Sequence, residues 1–592
     1  MNKLASLLLL FLPCWVSAQT VPEKSTPLVL THVTVIDGTD APPAKNVTLV
    51  ITGNRITKIE PTDKLTAPQN SRIIDAAGKF LIPGLWDMHV HPHSKQDLAL
   101  FIANGVTAIR IMWGNPEDFE VRKDRDAGQL LAPHMIIASP LIDGPKPYWP
   151  GSVSVSTEAE ARAVVDKSKA AGADFIKVYT FLPREEFLAI ADEAKKQNIP
   201  FAGHVPMSVS ATEASNAGMK SIEHLTGVME ACSTLSAELN EASEADLQDH
   251  LTTDVHFFEG AHVHALHSQM FDTCNPKSAT ALFDTFKRNG TWQTPTLTLW
   301  RMFSSISDPG FANNTALKYV AVRERQSWDP AVVSKNAVAV NAALSKDEFQ
   351  KDLQLVGAMQ KAGVGILAGT DTGNPHCISG FTLHDELQLL VRAGLTPLES
   401  LQAATVNPAR FINNETNFGA LKPGKLANLV LLDANPLDNI ANIKMIAAVI
   451  LDGKYLDRAT LDEMLSDVEA IANRKPIGDV LAATIGKRGV HAAVEQYRKL
   501  TATQPDSYDF SEDELVGLGY ELLHKKQITD SIEIFKLSVE AYPHSYNTYD
   551  SLAEAYMDHG DRDLAIQNYR KSLELNPTNT NATKMLQKLA TQ

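Results

Sequence analysis

Cysteine is scarce, with four among 592 residues, and that scarcity excludes a disulfide-held scaffold. Basic charge is in deficit as well. Lys and Arg number 54 against 70 Asp and Glu, a formal net charge of -16, so most of the chain repels phosphate backbones and anionic membranes, and nucleic acid drops out as a partner. The 32 glycines and 31 prolines are too few for a collagenous or low-complexity chain. Long apolar runs are missing too. The stretch from Leu4 to Val16 in MNKLASLLLLFLPCWVSAQT is too short to span a bilayer, so no transmembrane anchor is expected. What stands there instead is a secretory signal: Lys3, an apolar core, then the small residues Ser17 and Ala18. It predicts removal of residues 1–18 before Gln19 and export to the periplasm. Cys232, Cys274 and Cys377 remain. The first two lie in one inserted stretch and can bridge, whereas Cys377 has no partner in view.

The chain is 44% hydrophobic and 21% charged, ordinary for a globular protein. LVLTHVTVID, NVTLVITGNRITKIEP and RIIDAAGKFLIPG read as short strands, and KLANLVLLD and KMIAAVILDGKYL return much later. Both flanks, residues 19–84 and 413–460, are therefore expected to build one composite β-domain. Between them, helical stretches such as TEAEARAVVDKSKAAG alternate with short apolar strands such as ADFIKVYT, the pattern of a parallel βα array. Residues 85–412 are long enough for a (β/α)8 barrel with two insertions, one after Leu225 and one after Trp300. Leu518 and Leu552, Ile532 and Ile566, Phe535 and Tyr569, and Pro543 and Pro577 are each 34 residues apart, the tetratricopeptide period. Residues 506–592 are expected to hold these repeats, with 461–505 as a helical linker or cap. A groove for a protein partner and a packing module without a ligand are equally open. The linker carries no ligand candidate, so the tail is expected to be separable from catalysis.

The polar residues that need a reason sit at strand ends. In GLWDMHVHPH, period two puts Asp87, His89 and His91 on one face and Met88 and Val90 on the other. In ADFIKVYT it puts Phe175, Lys177 and Tyr179 together, leaving Ile176 and Val178 for the helices. His204 ends FAGHVP, His224 ends KSIEHLTG, and Asp371 ends a strand running from Val364. All lie at C-terminal strand ends, where barrel enzymes assemble their sites.

With these motifs the chain resembles the amidohydrolase superfamily, its prolidase-like and imidazolonepropionase-like members above all. The resemblance runs from Leu28 to Leu456 through GLWDMHVH, GADFIKVY, GHV, SIEHL, AGTDT and GKLANLVLLD. It implies an α/β barrel with a composite β-sandwich and a site for two divalent metal ions. His89, His91 and Asp371 would bind one ion, His204 and His224 the other, and Lys177, carbamylated, would bridge them. An ammonium cannot ligate a cation, but a lysine carbamate is an anionic two-oxygen ligand. Imidazole and carboxylate ligands suit zinc first. Asp371 would serve as general base and then as acid.

Other residues stay open between roles. Tyr179 either stabilises a tetrahedral oxyanion or closes the barrel mouth. His384 either touches substrate or caps its helix. Arg110, flanked by Ile109 and Ile111, points inward and pairs either with a protein carboxylate such as Asp87 or with the carboxylate of a substrate. His93 and His376 read as solvated loop residues. The expected activity is hydrolysis of amide-type bonds in dipeptides, N-acyl amino acids or cyclic amides. A lactone, ester or phosphoester hydrolase on the same site is the alternative, and a non-catalytic repeat-bearing binding protein the remote one.

Overall fold

The central flank strands are nearly continuously buried, as in Leu429–Leu432 and Ile446–Leu451, because each has two apolar faces to cover. The computed structural model describes residues 26–92, 94–252, 261–306, 308–329, 332, 346–577 and 579–591; the expected signal segment, residues 1–18, lies outside them. The N-terminal flank supplies β1 (Leu28–Val35), β2 (Ala44–Thr52), β3 (Arg55–Pro61), β4 (Arg72–Asp75) and β5 (Phe80–Pro83). The barrel follows as β6 (Leu85–Val90), β7 (Val106–Ile111), β8 (His134–Ile137), two short strands β9 (Ile142–Asp143) and β10 (Val153–Ser154), then β11 (Ile176–Val178), β12 (Phe201–Gly203), β13 (Ser221–Glu223) and β14 (Trp292–Thr294). The returning strands are β15 (Leu429–Leu432), β16 (Ile446–Leu451) and β17 (Lys454–Asp457).

The two flanks share one sheet in the order β17-β16-β15-β5-β1-β2-β3, with β4 beside β1. The seam between them is the antiparallel pair β5 and β15, from Pro83 opposite Leu429 to Phe80 opposite Leu432. Period two divides the side chains. Leu429 and Leu431 join Leu30, Leu49 and Ile450 in the core of the β-sandwich, whereas Val430 and Leu432 join the barrel core. A register slip of one residue would exchange the two faces, so both cores fix the pairing.

The barrel strands pair in parallel, β6 with β7 with β8, and β11 through β14 in succession. Ala138 bridges Phe175 to join the two sets. Closure depends on residues 364–372, which bridge Gln293 to Ile366 and Val90 to Thr372. The strand expected from Val364 to Asp371 is irregular, because Asp371 takes a left-handed φ of 54° that no pleated strand accommodates. β6 departs from alternation as well. Its register against β7 shifts between Asp87 and Val90, so Met88 packs with Trp86 and Ala108 while Val90 joins the helix-facing core.

The tail stacks three helical pairs, Ile477–Arg488 with Val490–Thr503, Glu512–His524 with Ile528–Ala541, and Tyr546–His559 with Arg562–Leu575, followed by Thr580–Thr591. The first pair completes the stack of about three units that such repeats need to bury a continuous face. Gly519 permits the closest approach: a Cβ there would meet the Phe535 ring at 2.4 Å. The helix Arg458–Ala472 belongs instead with the barrel. Its Leu461 is buried in the barrel core, and its Val468 packs against Leu100, Val320 and Trp328. Losing that helix removes two buried and two partly buried side chains, Leu461, Val468, Met464 and Leu465, from these clusters. At about 1.5–3 kcal/mol for each fully buried one, a chain ending after Thr460 is expected to be less stable than one ending after Asn473 by roughly 3–6 kcal/mol. Urea unfolding checks this, and equal midpoints would show that the helix adds nothing.

Candidate metal centre

An arginine facing a barrel interior must find an anion. Arg110 of β7 is fully buried, and its Nη2 donates to both Glu223 oxygens at 2.9 Å and to Thr294 Oγ1 at 3.1 Å. Nη1 donates to Ser221 Oγ at 2.9 Å and Nε to the Met88 carbonyl at 2.5 Å. Its partner is Glu223, with Asp87 engaged elsewhere: Asp87 accepts from the Thr370 hydroxyl at 2.7 Å and the Thr370 N–H at 3.1 Å. All three guanidinium nitrogens are taken by the protein, which assigns Arg110 to structure and removes it as a substrate anchor. Burial alone would push the Glu223 carboxyl up; the Arg110 guanidinium and the bond from His89 overcome that and hold it well below the usual carboxylate range.

Glu223 in turn holds His89. Its Oε2 lies 2.8 Å from His89 Nδ1, and a buried carboxylate makes that nitrogen the protonated one. His89 Nε2 is then a lone pair. It is buried without a hydrogen-bond partner among the described residues and sits 3.2 Å from Asp371 Oδ1. His91 Nε2 lies 3.2 Å from the same oxygen. Acceptors facing one another at this distance repel unless a cation stands among them. The ligand atoms of His89, His91 and Asp371 lie within 4.8 Å of one another, a spacing that suits one ion.

A second pair of imidazoles adjoins this group. His224 is 4.4 Å from His89 and 4.9 Å from His204 between ring centroids. Thr296 Oγ1 lies 2.7 Å from His224 Nδ1 and Thr180 Oγ1 lies 2.9 Å from His204 Nδ1, which leaves Nε2 of each ring as its remaining ligand atom. Burial pushes His224 down to about 3 and His204 well below its ordinary value. Both are therefore neutral rings with a lone pair to give. Lys177 is buried on β11, its backbone N–H donating to Ser139 Oγ at 2.9 Å, and burial pushes its amine down to about 8. His224, Leu225, Thr296 and Asp371 all take left-handed φ values, 59°, 58°, 46° and 54°. Such strain in residues other than glycine gathers where side chains must be aimed.

The remaining candidates separate. The Tyr179 ring stacks 4.0 Å from the His204 ring, and its hydroxyl accepts from Trp149 Nε1 at 3.0 Å. His384 is buried, and its Nε2 donates to the Asn104 carbonyl at 2.9 Å, just before the N-terminal end of β7. That contact faces the end of the barrel opposite the ligands and rules His384 out as a substrate contact. His376 is not solvated: it is buried, with Nε2 bonded to the Trp328 carbonyl at 3.0 Å. His93 lies outside the described residues. Cys232 and Cys274 form a disulfide, with Cα atoms 4.8 Å apart, and Cys377 is a buried free thiol. Glu223, Thr180 and Thr296 were missed from sequence. Only Glu223 left a signal, since Ser221 and Glu223 alternate on the face that an inward Arg110 requires.

A cavity of about 520 Å3 opens from His91, Thr372 and Gly373 and reaches Asp509, Ser511 and Asp513 of the tail. These residues of the tail thus stand in the wall of a cavity that His91 also lines.

The amidohydrolase family matches residues 80–456, and the tetratricopeptide repeat matches residues 546–579. Ochratoxinase from Aspergillus niger is 25% identical over 475 residues, covering 68% of this chain and 80% of that protein. A bottromycin amidohydrolase structure aligns with a TM-score of 0.57 at 25% identity, over 75% of this chain and 90% of that one. A Xaa-Pro dipeptidase with bound methionine aligns with a TM-score of 0.53 at 20% identity, over 73% of this chain and 100% of that one.

Truncating Arg110 would leave Glu223 charged and buried with its main partner gone. Arg110→Ala is expected to cost about 3–5 kcal/mol of folding stability in chemical unfolding. A variant as stable as the parent would contradict the structural role.

Proposed function

The chain belongs to the amidohydrolase family and is a hydrolase of carbon–nitrogen bonds, and we propose that it cleaves amide-type bonds in small substrates, namely dipeptides, N-acyl amino acids or cyclic amides, with the help of two divalent metal ions. The observation that carries this reading is the convergence of His89, His91 and Asp371 around the unpartnered His89 Nε2. Donors of this kind, two imidazoles and a carboxylate, suit zinc. His204 and His224 would hold the second ion, and Lys177 as its carbamate would touch both. A buried amine lowered to about 8 supports that step, because only the neutral amine adds carbon dioxide. Divalent ions in such a centre lower the pKa of water toward neutrality and polarise a carbonyl.

The chain's own groups divide the remaining work. Asp371 accepts a proton from the attacking water and returns it to the leaving nitrogen, which must depart as an amine. Tyr179, whose hydroxyl oxygen takes the bond from Trp149, keeps its own proton to donate to the carbonyl oxygen as that atom gains negative charge. Glu223 and the two threonines fix the three rings that would otherwise rotate. Likeness to a bottromycin amidohydrolase supports amide cleavage over lactone, ester or phosphoester cleavage. Export to the periplasm is part of the proposal and rests on Lys3, the apolar run from Leu4 to Val16, and Ala18.

Elemental analysis of active protein is expected to find about two transition-metal ions per chain. Lys177→Ala should lower both the metal content and the turnover of an N-acyl amino acid panel, the latter by roughly a hundredfold or more. Active protein without bound metal would contradict the reading.

A further inference from the structure

The loop between β9 and β10, residues 144–152, is held at several points. Asp143, at its start, accepts from the backbone N–H groups of Gly144 at 3.0 Å, Tyr148 at 2.9 Å and Phe181 at 2.6 Å. The Lys146 carbonyl accepts from His250 Nε2 at 2.8 Å, so the helix Ser236–Thr252 of the first barrel insertion holds the loop from outside. The Tyr148 ring packs against those of Tyr179 and Phe181, each with 5.8 Å between centroids. These contacts fix the course of the loop, and that course displays Trp149.

Trp149 is 44% exposed, and among the described residues it is the one aromatic in the group of large apolar side chains left exposed. Its Nε1 donates to the Tyr179 hydroxyl at 3.0 Å, and the Tyr148 ring lies 4.9 Å away, centroid to centroid. Much of the indole is left to solvent. Yet the residue it bonds to belongs to the candidate centre: the Tyr179 ring stacks 4.0 Å from that of His204, and Lys177 Nζ lies 5.8 Å from its centroid. An exposed indole therefore stands one hydrogen bond from a side chain that touches a candidate metal ligand. Such a face takes either another ring or a cation. Lys146 on the same loop and the two divalent ions of the proposed centre repel a cation, which leaves an uncharged ring.

We propose that Trp149 is a specificity residue of the hydrolytic site and that the preferred amide carries an aromatic ring on its acyl side, close to the scissile carbonyl and packed on the exposed indole. The inference rests on the proposed metal-dependent hydrolysis, in which Tyr179 meets the carbonyl oxygen. It narrows the substrates of that reaction to aromatic acyl amides, including dipeptides with an aromatic first residue.

Hydroxamates test this without a known substrate, because the group binds divalent metal while its acyl chain takes the place of a substrate's. Calorimetry on the metal-loaded full chain is expected to show 3-phenylpropanohydroxamate binding roughly tenfold more tightly than propanohydroxamate and about threefold more tightly than 3-cyclohexylpropanohydroxamate. Trp149→Ala should remove most of the preference for the phenyl compound. Trp149→Phe, which keeps a ring but loses the bond to Tyr179, should retain most of it. Equal affinity of the parent for the phenyl compound and either of the others would overturn the proposal, as would a preference left unchanged by Trp149→Ala. A loss in Trp149→Phe as complete as in Trp149→Ala would assign the effect to Tyr179 and overturn it too. Failure of the metal-loaded parent to bind any of the three would instead overturn the metal centre itself.

Discussion

The pairing of Arg110 with Glu223 is the constraint on which the site depends. Both side chains are fully buried, and either charge left there without the other would be costly. Because Glu223 is held ionised, it fixes the proton of His89 on Nδ1, and because that proton is fixed, Nε2 is left bare toward Asp371. One interaction between β7 and β13 thus sets the tautomer of a ring on β6. Thr180 and Thr296 hold Nδ1 of His204 and His224 with neutral hydroxyls and so fix the orientation of each ring, while burial first, and the neighbouring charges after it, keep both rings neutral.

The ligands approach from separate strand ends, and that requires the barrel to be closed by residues able to turn sharply. Asp371, His224 and Thr296 are all left-handed. Each turn ends the pleat and redirects a side chain over the barrel mouth, so the irregular eighth strand and the convergence of ligands have the same cause. The cost of such turns, of order 1–3 kcal/mol each, is one that the surrounding cores must offset. The composite sheet supports this from the opposite side, where Val430 and Leu432 pack into the barrel core while Leu429 and Leu431 hold the sandwich together.

The barrel, the composite sheet and the repeats were legible because each leaves a period in the sequence: alternating βα segments, period-two strands, and the 34-residue spacing from Leu518 to Leu552. Lys177 was legible as inward-facing because Ile176 and Val178 claim the helix side, and both do pack there. Relations between strands were not. Nothing in GVTAIRIMWG says that its arginine will meet Glu223 rather than Asp87, since the pairing depends on stagger around the barrel. His384 misled for a similar reason: its nearness in sequence to Asp371 hides the fact that the intervening loop carries it to the far end of β7. The ion pair of Arg323 with Glu514, which joins the second barrel insertion to the tail, was invisible because an arginine on a short surface helix and a glutamate in a first helical turn have no pattern that links them.

Anomalous diffraction at the zinc edge from crystals of the zinc-loaded protein tests the central claim most directly. The account predicts two peaks per chain, one in contact with His89 Nε2, His91 Nε2 and Asp371, the other in contact with His204 and His224, and added density on the Lys177 amine between them. A chain saturated with zinc but showing no peak among these six residues would contradict it.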